Sequence, residues 1–285
     1  MNTVTSFDSV TEHARTREAL GVVVPRLARL LGAVRASDAR SGVPVWTVGD
    51  VGAHVATVYL AYTAAATGAP VGWEGLLPPA GESLGGRIAA LNTRVIGLVD
   101  ETERARLGEL IAERGEAFLR ATESLPPDLL VDTPWYGEGV QVTVATLTGL
   151  LLSESLVHGL DIARGAGLRW PIEAEHAGLV FAQVMPTMMP LAVHAERARG
   201  ARIAFDLAIK GGPRLAVSVL DGAVTVTRDA APGASDVRIS ADPVTFLLVA
   251  FRRTPLWQAA LLGRMRAGGR RPWLAGQLLR LIVAP

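Results

Sequence analysis

The sequence predicts a mainly α-helical protein: a four-helix bundle followed by an α+β domain in which helices cover a small antiparallel sheet. Apolar residues recur at helical spacing through the first two thirds of the chain, whereas period-two alternation begins only after residue 200. The length of 285 residues and the hydrophobic fraction of 49% provide enough core for two domains. We therefore predict a bundle domain over residues 1–196 and a second domain over residues 197–285.

The first two predicted helices are identified by their capping residues. The first starts at about Ser9 and is kinked at Pro25. The second starts at Thr47, which has capping-box spacing with Asp50, and runs to about residue 66. A segment rich in glycine and proline then predicts an ordered loop.

The other two bundle helices follow this loop. A long helical region is predicted over residues 83–125, where Pro126 ends it. A turn-rich link over residues 135–141 leads to the fourth helix. That helix has Thr143 as its N-cap and Gly165 as its C-terminal stop.

The C-terminal domain is predicted from short alternating segments. The expected strands are residues 202–209, 215–220, 224–227 and 236–240. Asp221 and Gly222 are typical of a hairpin turn. Pro243 then occupies the first position of a helix that reaches Val249.

Composition excludes several kinds of chemistry. The chain has no cysteine, so disulfides, cysteine nucleophiles and cysteine–metal sites are excluded, and any reacting thiol must come from solution. The first residues show no signal-peptide pattern, so we expect a cytoplasmic protein. The longest uncharged run, residues 177–193, is short for a membrane span and contains two prolines, so we expect no span.

One helix carries two candidate metal ligands. Glu154 and His158 are four residues apart, so their side chains leave the same helix face one turn apart, among apolar neighbours. His54, in the apolar second helix, is the candidate third ligand, and Asp161 could orient an imidazole. Each histidine could instead be an ordinary hydrogen-bonded core or surface residue. Two histidines and a carboxylate suit zinc and leave a fourth position for water or a substrate atom.

Two segments resemble a known family. The sequences WTVGDVGAH (residues 46–54) and ESLVHGLD (residues 154–161) resemble the mycothiol-dependent maleylpyruvate isomerase family, whose members are DinB-like four-helix bundles. The resemblance places the zinc ligands of the family on His54, Glu154 and His158. The C-terminal third resembles the sterol-carrier-like domain of the same family.

The resemblance implies a zinc- and thiol-dependent enzyme. Its thiol cosubstrate is mycothiol, an actinobacterial analogue of glutathione, held at zinc as the thiolate. Addition to an electrophilic small molecule and later loss of the thiol would give a cis–trans isomerase, whereas retention of the adduct would give an S-transferase. A biosynthetic member that does not use mycothiol, or a non-catalytic binder of a hydrophobic small molecule, stays open as an alternative. We expect a monomer or homodimer.

The last 43 residues contain seven arginines and no acidic residue. These are Arg252, Arg253, Arg264, Arg266, Arg270, Arg271 and Arg280. They could bind nucleic acid, an acidic membrane surface or a small dianion, or pair with carboxylates of the first domain, but no nucleic-acid recognition motif accompanies them. Residues 251–254 resemble the Gly-Arg turn of the family, with arginine in place of glycine. We assign catalysis to Arg253, together with Asp161, and cofactor binding to Arg252 and Arg264, although the choice among the three arginines stays open.

Overall fold

The computed structural model describes residues 4–78, 83–229 and 235–282. Contacts between residues divide the chain into two compact units. The first contains residues 1–82 and 86–172, and the second contains residues 83–85 and 173–285. The mainly α architecture with an α+β C-terminal part confirms the predicted fold class.

The first unit contains six α-helices, a short 3-10 helix (Glu74–Leu76) and a two-stranded hairpin within its described residues. They are α1 (Val4–Gly32), α2 (Val48–Thr67), α3 (Leu84–Ile96), α4 (Glu101–Ala105), α5 (Leu107–Ala121), β1 (Leu130–Asp132), β2 (Gln141–Thr143) and α6 (Val144–Ala166). α1 begins at Val4 rather than near Ser9, whose side chain lies outside the described part of the chain. A cap-like pattern does not start a helix when the preceding residues can continue its hydrogen bonds.

Four of these helices form the bundle. α1 and α2 each pack against both α5 and α6. The helix that carries His54 is therefore a direct neighbour of the helix that carries Glu154 and His158. Fully buried side chains such as Tyr59, Leu151 and Phe118 fill the interior. Their apolar surface supplies most of the stability of the unit.

The long helix predicted over residues 83–125 is in fact three helices. α3 ends before Gly97, and Asp100 then caps α4 by accepting a hydrogen bond from the Glu103 amide at 2.8 Å. The periodicity of apolar residues continues across this break. The periodicity alone therefore does not reveal that a new helix begins at the N-cap Asp100.

α6 begins and ends with recognisable caps. The Thr143 hydroxyl accepts from the Thr146 amide at 3.1 Å, which confirms the predicted N-cap. The predicted stop at Gly165 is wrong, because α6 continues to Ala166 and Gly167 adopts the left-handed cap with φ 67°. Gly165 instead allows close packing, since a Cβ there would lie 2.5 Å from the Arg40 carbonyl oxygen.

The second unit is a five-stranded sheet with helices. Its described elements are α7 (Ala174–Leu191), α8 (Ala195–Ala198), β3 (Arg202–Ile209), β4 (Arg214–Leu220), β5 (Ala223–Arg228), β6 (Val237–Ala241), α9 (Pro243–Ala250), α10 (Leu256–Leu261), β7 (Met265–Gly268) and α11 (Ala275–Leu281). The strand order is β5-β4-β3-β6-β7. All neighbouring pairs are antiparallel except β3 and β6, which run parallel.

The helix α7 belongs to the second unit by its contacts. It packs against β5 and α9, and the rings of Phe181 and Phe246 meet edge to face with centroids 4.8 Å apart. This division lies at residue 172, whereas the sequence prediction placed the domain boundary at residue 196. Helical periodicity in α7 resembled that of the bundle, and only the tertiary contacts assign α7 to the sheet. Among the described residues, no helix combines the length and apolar character needed to cross a bilayer.

A buried histidine joins two bundle helices. His13 on α1 is 5% exposed, and its Nε2 lies 3.2 Å from the Thr148 hydroxyl on α6. That hydroxyl donates to the Val144 carbonyl at 2.9 Å, so neutral His13 donates its Nε2–H to the hydroxyl oxygen. Burial, reinforced by the positive charge of Arg17, lowers the pKa of His13 to about 4.

We expect this histidine to make folding stability depend on pH. Between about pH 6.5 and pH 4 the unfolded chain binds a proton at His13 that the folded chain does not, so stability falls as the pH falls through this window. The contribution of His13 to the free energy of unfolding should decrease by about 2–3 kcal/mol. Urea denaturation at several pH values measures this decrease. His13→Gln, which keeps a donor for Thr148, should flatten the curve in this window, and an unchanged slope would contradict the assignment.

Candidate metal centre

The local sequence around His54 fixes the start of α2. Thr47 and Asp50 form a reciprocal capping box, in which the Thr47 hydroxyl accepts from the Asp50 amide and the Asp50 carboxylate accepts from the Thr47 amide, both at 3.1 Å. Arg104 holds the same carboxylate from α4 at 3.1 Å. His54 follows one turn after Asp50 and is 4% exposed. The cap confirms the prediction and sets the rotation at which α2 presents His54.

Glu154 and His158 lie in the middle of α6, away from both helix ends. The Glu154 Oε2 atom is 3.1 Å from Nε2 of His158 on the same helix and 3.2 Å from Nε2 of His54 on α2. The side chains of Glu154 and His158 are 18% and 12% exposed. The structure therefore brings the three predicted ligands together, with one ligand atom from each lying within 4.8 Å of the others.

The electrostatics of this cluster favour a paired charge. Burial would raise the pKa of Glu154, but the hydrogen bonds and charges of His158 and His54 outweigh burial and hold this pKa well below its usual value. Burial also opposes protonation of His158, yet the hydrogen bonds to Asp161 and Glu154 raise the pKa of His158 to about 9. In the metal-free protein, the His158 imidazolium thus lies between the carboxyl groups of Glu154 and Asp161.

Asp161 contacts the candidate ligand His158 from the next turn of α6. Its carboxylate is fully buried and lies 3.0 Å from Nδ1 of His158. A carboxylate at Nδ1 fixes the ring orientation and directs Nε2 towards Glu154 and His54. The amide of Gly42 donates to the Asp161 carbonyl at 3.0 Å, and a Cβ at Gly42 would lie 2.5 Å from the Asp161 carboxylate. Glycine is therefore needed where this loop meets α6.

Trp46 is a site residue that the sequence did not single out as functional. It directly precedes the N-cap Thr47, and its ring centroid lies 4.9 Å from that of His54 and 6.2 Å from that of His158. The half-buried indole thus forms an apolar wall beside both imidazoles. Its position in the family-like segment, eight residues before His54, was the only sequence signal for this role.

The donor set suits a divalent transition metal. Two imidazole Nε2 atoms and one carboxylate oxygen are ligand types that zinc accepts, and three protein ligands leave one coordination position for another molecule. The hydrogen bond from His158 to Asp161 is the outer contact that such histidines commonly make. The residues present therefore fit a zinc ion.

The three candidate arginines all lie in the second unit. Arg252 has φ 61°, a left-handed conformation that favours glycine, and its guanidinium donates to the Leu279 carbonyl. Arg253 donates to the Phe251 carbonyl at 2.7 Å, and Arg264 is exposed. The left-handed Arg252 matches the turn in which the sequence resemblance places a glycine.

One family model matches the part of the chain that contains this cluster. The family model described as the mycothiol maleylpyruvate isomerase N-terminal domain matches residues 21–163, which include all three candidate ligands and Asp161. No curated protein matches the chain.

Solved structures provide a comparison of the fold. The structure of a histidine-to-alanine mutant of the mycothiol-dependent maleylpyruvate isomerase is 16% identical, with a TM-score of 0.50, and the match covers 90% of this chain and 92% of that one. The parent isomerase is 17% identical at a TM-score of 0.48, with the same coverage. A sec-alkylsulfatase from Pseudomonas sp. is 13% identical at a TM-score of 0.33. The match to the sulfatase covers 49% of this chain but only 24% of that protein.

The likeness to the mutant isomerase shows a shared fold, and the family model covers half of the chain and spans the complete His-Glu-His cluster. The chain therefore belongs to the mycothiol maleylpyruvate isomerase N-terminal domain family.

Proposed function

We propose that the protein is a zinc- and thiol-dependent enzyme that adds a thiolate to an electrophilic, carboxylate-bearing small molecule. Mycothiol is the proposed thiol and maleylpyruvate the proposed first substrate, as in the isomerase that shares its fold. The single observation that carries the proposal is the convergence of His54, Glu154 and His158 on one point inside the bundle. Because the chain has no cysteine, the reacting thiol must be a separate molecule.

The protein's own residues prepare the site for this chemistry. His54, Glu154 and His158 would hold the ion, which when bound stabilises a coordinated thiol as its thiolate. Asp161 keeps Nε2 of His158 available by accepting a hydrogen bond from Nδ1–H, which holds the proton on Nδ1. Trp46 shields one side of the two imidazoles from water, which strengthens electrostatic interactions at the site.

Zinc content and turnover of the purified 285-residue chain test the proposal directly. We expect about one zinc per chain and turnover of maleylpyruvate that requires mycothiol. Glutathione is the matched control thiol. If the protein binds zinc but shows no thiol-dependent turnover, the proposed reaction is wrong and the metal site has another purpose. If the protein binds no zinc, both the metal site and the reaction are wrong.

His158→Ala should lose the bound zinc, because two remaining ligands make a weak site. The helical circular dichroism should persist, since apolar packing stabilises the bundle. His194→Ala is the matched control, because His194 lies in the second unit and should leave the zinc content of the protein unchanged. Elemental analysis of both variants distinguishes the outcomes. Full zinc retention by His158→Ala would show that this histidine is not a ligand.

Asp161→Asn should weaken zinc binding about 10- to 100-fold, because an amide orients the His158 ring less well than a carboxylate. Chelator competition measures the affinity. Asp132→Asn is the control, since that exposed carboxylate contacts only Gln141 among the described residues, at 2.9 Å. Equal zinc affinities of the Asp161→Asn and Asp132→Asn proteins would show that Asp161 does not orient His158.

We further propose that Arg253 binds an anionic group of the substrate, as the resemblance implies for a C-terminal arginine. Arg253→Ala should reduce kcat/KM about 10- to 100-fold, and Arg253→Lys should restore activity only in part because lysine lacks the planar fork. Arg280→Ala, which removes an exposed arginine of the same unit, is the control. Loss of activity in Arg252→Ala or Arg264→Ala but not in Arg253→Ala would reassign the role.

A further inference from the structure

Three tyrosines lie in the first unit within the electrostatic influence of Glu154, and one of them has a complete set of partners. Tyr59 on α2 lies 2.7 Å from the Ser155 hydroxyl, and that hydroxyl donates to the Leu151 carbonyl, also at 2.7 Å. Because the Ser155 hydroxyl donates its proton to the Leu151 carbonyl, Tyr59 must donate to the Ser155 oxygen. Neither hydroxyl retains a proton for another molecule.

The other two tyrosines form a pair in which one hydroxyl proton is left without an acceptor among the described residues. The hydroxyl oxygens of Tyr62 on α2 and Tyr136 in the β1–β2 link are 2.5 Å apart. Two O–H groups that share one hydrogen bond use only one of their two protons. Whichever phenol donates, the other keeps an O–H for which the described part of the chain provides no acceptor.

Burial indicates which hydroxyl carries the spare proton. Tyr62 is 5% exposed and stacks on Trp135 with ring centroids 5.4 Å apart and an interplanar angle of 8°. Tyr136 is only half-buried. Because an O–H without a protein acceptor is costly to bury, the greater exposure of the Tyr136 residue favours the arrangement in which Tyr62 donates to Tyr136. The Tyr136 hydroxyl then offers its proton to a molecule from outside.

Position links the pair to the metal ligands. Tyr62 follows His54 by eight residues, about 12 Å along α2, and helical side chains slope back towards the N-terminus, which here is the His54 end. Burial raises the pKa of both phenols, and the negative charge of Glu154 raises it further. The pair therefore stays protonated at neutral pH and lies within the electrostatic influence of Glu154.

We propose that the Tyr62–Tyr136 pair is a subsite for an oxygen of the substrate, in which Tyr136 donates a hydrogen bond to a carboxylate or carbonyl oxygen and Tyr62 holds Tyr136 in place. The inference rests on the proposed function, because a cation at the ligand cluster is needed to offset the negative charge of Glu154 before an anionic substrate can bind.

Maleate, a small cis-dicarboxylate, is the probe. Calorimetry on the zinc-loaded full chain should show that Tyr136→Phe weakens maleate binding about 10- to 100-fold, the usual effect of losing a hydrogen bond to a charged group. Tyr62→Phe should weaken it less, since Tyr136 keeps its own hydroxyl. Tyr59→Phe is the matched control, because it removes a buried phenol hydroxyl on the same helix that has no spare proton. It should bind maleate as the parent does.

Two further readouts separate a subsite from a structural role. All three variants should retain the parent zinc content, and the tyrosine difference spectrum on maleate addition should disappear in Tyr136→Phe only. Maleate binding that depends on Tyr136, in a protein that does not turn over maleylpyruvate, would support the subsite and refute the proposed reaction. Equal binding by Tyr136→Phe and Tyr59→Phe, or no maleate binding by the parent, would overturn the subsite.

Discussion

The interaction on which the site depends is the contact of one buried carboxylate with two imidazoles. Glu154 lies 3.1 Å from His158 and 3.2 Å from His54, and an isolated charge largely removed from water would cost several kcal/mol, a large share of the net stability of a domain. A proton on His158, or a metal ion, provides the compensating positive charge. The bundle therefore has to hold two helices, α2 and α6, at one fixed distance and rotation.

Several features outside the cluster serve this requirement. The capping box of Thr47 and Asp50 fixes the start of α2, and Arg104 ties the box to α4. Close contacts at a glycine fix the position of α6. Gly159, next to His158, lies against Trp170, whose indole donates to the Leu156 carbonyl at 2.9 Å. Such contacts transmit backbone shifts directly, so the site is sensitive to substitutions that never touch a ligand.

The proposed chemistry uses two kinds of group: charged metal ligands and neutral hydrogen-bond donors. The cluster binds positive charge, while the Tyr62–Tyr136 pair offers a hydrogen-bond donor that stays neutral because burial and Glu154 both oppose ionisation. In the second unit, Arg252 keeps a left-handed φ of 61° that costs a side-chain-bearing residue roughly 1–2 kcal/mol. Arg252 directly follows Phe251, the C-cap of α9, where a residue in the left-handed conformation commonly ends a helix.

The sequence by itself determined the helical class, the strands β3 to β6, both helix caps at Thr47 and Thr143, and the three residues that meet in the candidate metal cluster. These features depend on local chemistry: a capping oxygen, a two-residue or 3.6-residue period, and two ligands one turn apart. Tertiary structure alone decided the break at Asp100, the assignment of α7 to the sheet, and the placement of Trp46 beside both imidazoles. It also decided the meeting of Tyr62 with Tyr136, because their contact joins positions 74 residues apart, and no local preference encodes a distance across the bundle.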